Sequence, residues 1–100
     1  MTVKTDLRAL VRGHRDEILR LAAKRGARNV RLFGSVARGD FDEKSDVDFL
    51  IELEPGRSLF DVGGLLMDLR ELLGRRVDVV PDDSIPAYSR ASVLAEAVAL

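Results

Sequence analysis

Residues 33–49 read FGSVARGDFDEKSDVDF and hold the side chains best suited to chemistry. Asp46 and Asp48 stand two apart, leading into the apolar run Phe49-Leu50-Ile51. On a strand, that spacing points both carboxylates to one face. Gly34-Ser35 closes an earlier apolar run and opens a turn with free backbone N–H groups and a hydroxyl. Carboxylates hold hard cations, and such a turn holds phosphate. The combination points to a site for a magnesium–nucleotide complex.

A third carboxylate strengthens this reading. Asp78 lies between Val77 and Val79, where an uncompensated charge is costly. If its strand lies beside the one that Asp46 and Asp48 open, all three can meet on one face. Crowded carboxylates repel, and divalent cations relieve the repulsion, two metals sitting ~3.5–4 Å apart in such clusters. Each aspartate alone has an ordinary explanation: a strand end for Asp46, a half-exposed position for Asp48, an edge charge against aggregation for Asp78. The third aspartate and the Gly-Ser turn together favour the site. Gly34 lets backbone approach a phosphate closely, and the N–H groups opening the next turn face it. Ser35 adds a hydroxyl and Arg38 a charge-assisted contact. No Gly-Lys-Ser/Thr follows, so the turn is not a Walker loop, nor is it a dinucleotide fingerprint.

The elements that must position these residues follow from periodicity. Leu7, Leu10, Val11, Ile18, Leu21 and Ala22 predict one helix over 6–25, capped by Thr5 or Asp6 and stopped by Gly26. Its His14 has neither a second histidine nor a cysteine near it, which favours a partly exposed helical position over a metal ligand. A strand is expected over 27–33, a short helical turn over 35–39, a polar loop over 40–44 and a strand over 46–53. Ser58 caps a helix to about Leu73, with Leu59, Leu66, Leu69 and Leu73 as its buried stripe and Phe60, Val62 and Met67 widening it. Gly74 stops it. A strand over 76–80 and a last helix over 86–100 complete the chain, the helix with an apolar face of Ala91, Leu94, Ala95 and Val98. This order predicts an α/β (α+β) fold, a mixed sheet of three or more strands with helices packed on it. The strand–helix–strand crossover allows its last two strands to run parallel.

Composition sets limits on function. One hundred residues suit a single domain over 1–100, and 46% apolar with 33% charged residues fits a folded globule. A net charge of −1 leaves no electrostatic footprint for long nucleic acid. The chain has no cysteine, which excludes disulfides and thiolate metal sites and suits a cytoplasmic location. No apolar run approaches a membrane span, and the charged N-terminal segment lacks the core of a signal peptide.

The combined pattern resembles a known family. Phe33-Gly34-Ser35, ten intervening residues, then Asp46-Val47-Asp48-Phe49 is similar to the nucleotidyltransferase superfamily that includes DNA polymerase beta. The fuller run from Gly34 to Gly39 with Ser45-Asp46-Val47-Asp48 resembles the minimal nucleotidyltransferases of bacteria and archaea, and Val77-Asp78-Val79-Val80 matches that family's third carboxylate strand. The resemblance covers 27–80 by motif and the whole chain by length and element order. It implies that Asp46 and Asp48 hold Mg2+, that Asp78 completes the site and helps activate an acceptor hydroxyl, and that Gly34, Ser35 and Arg38 bind the nucleotide. It further implies transfer of AMP from ATP to a tyrosine of a HEPN-type toxin, the protein being that toxin's antitoxin and forming a stable complex with it. A binding antitoxin acting by occlusion, or transfer to an RNA end or a small molecule, are the alternatives. The intact aspartates disfavour the first, and the near-neutral charge and lack of a second domain disfavour the others.

Overall fold

The computed structural model describes residues 6–100. Its elements run α1 (Leu7–Gly13), α2 (Arg15–Lys24), β1 (Ala27–Phe33), α3 (Gly34–Arg38), β2 (Val47–Leu53), α4 (Leu59–Leu73), β3 (Val77–Pro81), a 3-10 turn (Asp82–Ser84), α5 (Ala87–Glu96) and β4 (Val98–Ala99). The four strands form one mixed sheet in the order β3-β2-β1-β4. β1 is antiparallel to both of its neighbours. β2 and β3, joined through α4, run parallel as the crossover rule predicts.

Register sorts the side chains into two faces. Leu32, Phe49 and Val79 lie in one row across β1, β2 and β3. With Val30, Val47, Ile51 and Val77 they form the buried face, under Leu7, Val11, Ile18 and Ala22 of the first two helices and Leu65, Leu69 and Leu73 of α4. Phe33, Asp48 and Asp78 form a row on the opposite face, followed by Arg31, Leu50 and Val80. Leu50 and Ile85 are buried there but stand apart from the main core.

Caps define most helix ends. Asp6 accepts from the backbone N–H groups of Arg8 and Ala9 at the start of α1; Thr5, the other expected cap, lies outside the described residues. Ser58 and Asp61 form a capping box at the start of α4, which satisfies two otherwise orphaned donors. Three expectations need correction. The single helix over 6–25 is two, because the chain leaves helical geometry at His14 (φ −108°, ψ 15°), next to the weak helix former Gly13. His14 is half-buried at this joint, with Nδ1 3.5 Å from Glu17 Oε1. In α4, Leu59 and Phe60 are 79% and 91% exposed and Met67 also faces solvent; the buried stripe is Leu65, Leu69 and Leu73. The last helix stops at Glu96, and Ala97 is extended, so Val98 and Ala99 join the sheet edge beside β1 instead of continuing α5. No helix among the described residues is long and apolar enough to cross a membrane.

Candidate active site

Three chain segments end at one edge of the sheet. β1 delivers Phe33 and the turn into α3, β2 begins just after Asp46, and β3 begins just before Asp78. The parallel register sets Asp48 directly beside Asp78, and the antiparallel register sets Phe33 on the other side of Asp48. Of the three carboxylates expected on one face, the register brings Asp48 and Asp78 together, and Asp46 precedes β2.

Gly34 is the residue that closes the site against Asp48. Its φ of +73° lies in the left-handed region, and a Cβ added there would overlap Asp48 Oδ2. Only glycine meets both demands without strain. Val36 and Ala37 anchor α3 in the core, and Gly39 ends it with φ +86°. Arg8 ties this short helix to α1. Its Nε donates to Val36 O at 2.8 Å, and its Nη2 donates to Ala37 O. Arg8→Ala leaves both carbonyls without that donor, so we expect it to cost about 2 kcal/mol by denaturant titration. A loss below a few tenths of a kcal/mol would show that α3 is held by its apolar anchors alone.

Burial, then the charge of Asp78, then that of Asp46 push the Asp48 carboxyl up from its ordinary 3.8 to about 6, against the favourable effect of Arg38. The three carboxylates thus share one electrostatic neighbourhood, but they do not close on one point. Asp46 Oδ1 pairs with the Arg76 guanidinium, 2.9 Å from its Nε, and among the described residues no three acidic or imidazole side chains gather closely enough to hold a metal. Asp78 is exposed at the sheet surface, its Oδ1 accepting from the N–H of Val79 at 3.1 Å. As hard oxygen donors side by side on adjacent strands, Asp48 and Asp78 are chemically suited to a divalent cation.

Ser35 is half-buried at the opening of α3, and its hydroxyl has no hydrogen-bond partner among the described residues. Arg38 lies near but is engaged elsewhere: its Nε donates to Asp40 at 3.2 Å and its Nη1 to Glu96 at 3.3 Å. Its hydrogen bonds to Asp40 and then Glu96 raise its pKa. Sequence reasoning passes over Arg76, Arg8 and Glu96. Arg76 has a signal: the register that opposes Asp48 to Asp78 opposes Asp46 to Arg76 two residues earlier. Arg8 and Glu96 act across long sequence separations and have none.

A mixed sheet that presents paired aspartates beside a Gly-Ser turn is the frame of a nucleotidyltransferase, and residues 11–100 match the nucleotidyltransferase domain family. The chain belongs to that family, among its minimal members. It is 35% identical over 98 residues to the protein adenylyltransferase MntA of Thermococcus cleftensis, covering 98% of this chain and 96% of the relative. A Methanocaldococcus jannaschii protein, provisionally named a protein adenylyltransferase, is 39% identical over 82 residues, covering 82% of this chain and 88% of that one. A solved structure provisionally designated a minimal nucleotidyltransferase superposes with a TM-score of 0.86 at 46% identity, over 96% of this chain and 97% of its own. A toxin–antitoxin crystal structure with AMP-PNP shares the fold at a TM-score of 0.72 and 21% identity, over 84% of this chain and 69% of that one.

Proposed function

We propose that this protein transfers AMP from ATP to a hydroxyl on a partner protein, releasing pyrophosphate, and so silences a HEPN-type toxin as its antitoxin, with a tyrosine as the acceptor. The observation that carries the chemistry is the row Phe33, Asp48, Asp78 beside Gly34. The named relative, a protein adenylyltransferase, supports the acceptor class, and the toxin–antitoxin neighbour with AMP-PNP supports the partner and the nucleotide.

In this reading Asp46, Asp48 and Asp78 hold Mg2+, which when bound supplies charge stabilisation to the attacking and leaving oxygens. The acceptor O–H adds its oxygen to the α-phosphorus as the bond to pyrophosphate breaks. Asp78, which is exposed, takes the acceptor's proton in this reading. Gly34 and Ser35 contact the triphosphate through N–H groups and the hydroxyl, and Arg38 exchanges Asp40 and Glu96 for a phosphate oxygen. An acidic site repels bare triphosphate, so ATP with magnesium will raise the melting temperature well above either alone. The gain approaches ~2.7 kcal/mol at a hundredfold excess over the dissociation constant. Equal stabilisation by metal-free ATP would contradict the acidic site.

The acceptor must be held in line, and proximity of that kind is worth many orders of magnitude in rate. The similarity to a protein adenylyltransferase supports an acceptor carried by a second protein. The deciding experiment supplies labelled ATP, magnesium and a co-encoded helical partner, and follows label and mass on each chain. A short peptide with the same tyrosine, at equal concentration, will be modified far more slowly than the intact partner. Equal rates would remove docking from the mechanism and favour a small-molecule or RNA-end acceptor.

A further inference from the structure

We infer that Arg76 serves the metal-free protein as an internal cation for Asp46, holding this carboxylate at the mouth of the site until a divalent ion displaces the guanidinium. The inference rests on the reading of Asp46 as a metal ligand and adds a positioning residue to it.

The geometry is a fork. Arg76 Nε lies 2.9 Å from Asp46 Oδ1 in an ion pair, and Nη2 of the same guanidinium donates to Lys44 O at 2.8 Å. The main chain adds a third tie, since the N–H of Val47 donates to Arg76 O at 3.0 Å. Its neighbour Arg75 donates from Nη2 to Glu43 O at 2.5 Å. The two arginines after Gly74 thus stitch the loop ahead of Asp46 to the start of β3. That loop, residues 40–46 between α3 and β2, is also held by Phe41 against the core and by hydrogen bonds between Asp42 and Ser45.

Charge explains why a cation belongs here. Asp46, Asp48 and Asp78 share one end of the sheet, and Arg38, which also lies near, is committed to Asp40 and Glu96. Arg76 is the group that offsets Asp46 when nothing else does. It is also easily displaced. Its side chain is 73% exposed and that of Asp46 48%, and ion pairs this open contribute little. The carboxylate is therefore kept in place, yet remains available to a competing divalent ion.

The test is Mn2+ binding to the full, nucleotide-free chain, read from the free-ion electron paramagnetic resonance signal. Arg76→Gln removes the competing charge and keeps a donor for Lys44 O. It is expected to bind Mn2+ about two- to fivefold more tightly than wild type. Arg76→Lys restores the charge and is expected to return affinity toward wild type. A merely structural brace would give the opposite sign, because loosening the loop weakens binding. Weaker or unchanged affinity in Arg76→Gln overturns the inference while leaving Asp46 a ligand. Asp46→Asn is the control for the underlying reading: if it binds Mn2+ as well as wild type, Asp46 is not a ligand and both statements fall.

Discussion

Asp48→Asn will be inactive in transfer and, at neutral pH, more stable than the wild type. Activity falls because the proposed site loses one of the carboxylates that would hold Mg2+, with an expected cost of at least ~10²–10³-fold in rate. Stability rises because the folded state resists ionising Asp48, whose pKa is pushed up to about 6 by burial, Asp78 and Asp46. For an acid raised in this way, the sign is opposite to that of an ordinary salt-bridged carboxylate. Below the unfolded value of 3.8 the group is protonated in both states and costs nothing. As pH rises from there to about 6 the unfolded chain releases its proton first, and stability falls; above 6 the full penalty applies. A tenfold difference in proton affinity between the folded and unfolded chain is worth about 1.4 kcal/mol. Solvent at this half-buried position reduces the net figure to about 1–2 kcal/mol. That corresponds to a gain on the order of 5–10 °C in melting temperature for a domain of this size. Thermal melts of both proteins at pH 7.5 and pH 3.5 check it: the gain belongs to the first condition and vanishes in the second. A variant that melts below the wild type at pH 7.5 would mean that Asp48 is held by attractive contacts instead of crowded by repulsive ones.

Gly34→Ala will cost more than a glycine-to-alanine change at a positive φ that meets only open space. Gly74 provides the comparison. It has a φ of +62° with nothing within 4 Å of an added Cβ, so Gly74→Ala incurs only the left-handed strain, about 1–2 kcal/mol. Gly34→Ala incurs the same strain and also drives the new methyl group into Asp48 Oδ2. A total of about 2–4 kcal/mol is expected, together with loss of transfer as Asp48 is displaced. The two contributions separate in a double-mutant cycle with Asp48→Ala, which opens the space. Coupling of about 1 kcal/mol or more between the two positions is the expected result. Additive effects would show that the methyl group is accommodated by a shift of the turn, and that the close approach of Gly34 does not fix the carboxylate.

The route from sequence to site is short where periodicity and register do the work. Alternation in β2 places Val47, Phe49 and Ile51 on the core face and leaves Asp48 on the other. The crossover through α4 then makes β2 and β3 parallel, which puts Asp78 beside Asp48. What escapes is set by tertiary contact. In α4, leucines at 59, 65, 66, 69, 72 and 73 permit more than one apolar phase. The sheet below selects the stripe through 65, 69 and 73, and the first turn overhangs it, leaving Leu59 and Phe60 in solvent. The two-residue β4 is too short to show a period, and only its pairing with β1 makes it a strand. Asp46 looks like a free ligand because nothing local to it names a partner; Arg76 becomes visible only when the register is extended by one pair.

The architecture of α5 bears on how this molecule opens in time. No residue of that helix is buried, and Tyr88 and Leu94 face solvent, so it can unwind without disturbing the core. β2 has no such freedom, with Phe49, Leu50 and Ile51 fully enclosed. In native-state hydrogen exchange, the amides of α5 will therefore lose protection through local openings of low free energy, while those of central β2 exchange only when the whole chain unfolds. Because Glu96, at the end of α5, is one of the two carboxylates on Arg38, each such opening also loosens a cation that follows the Gly-Ser turn, linking the breathing of a peripheral helix to α3 through a single side chain.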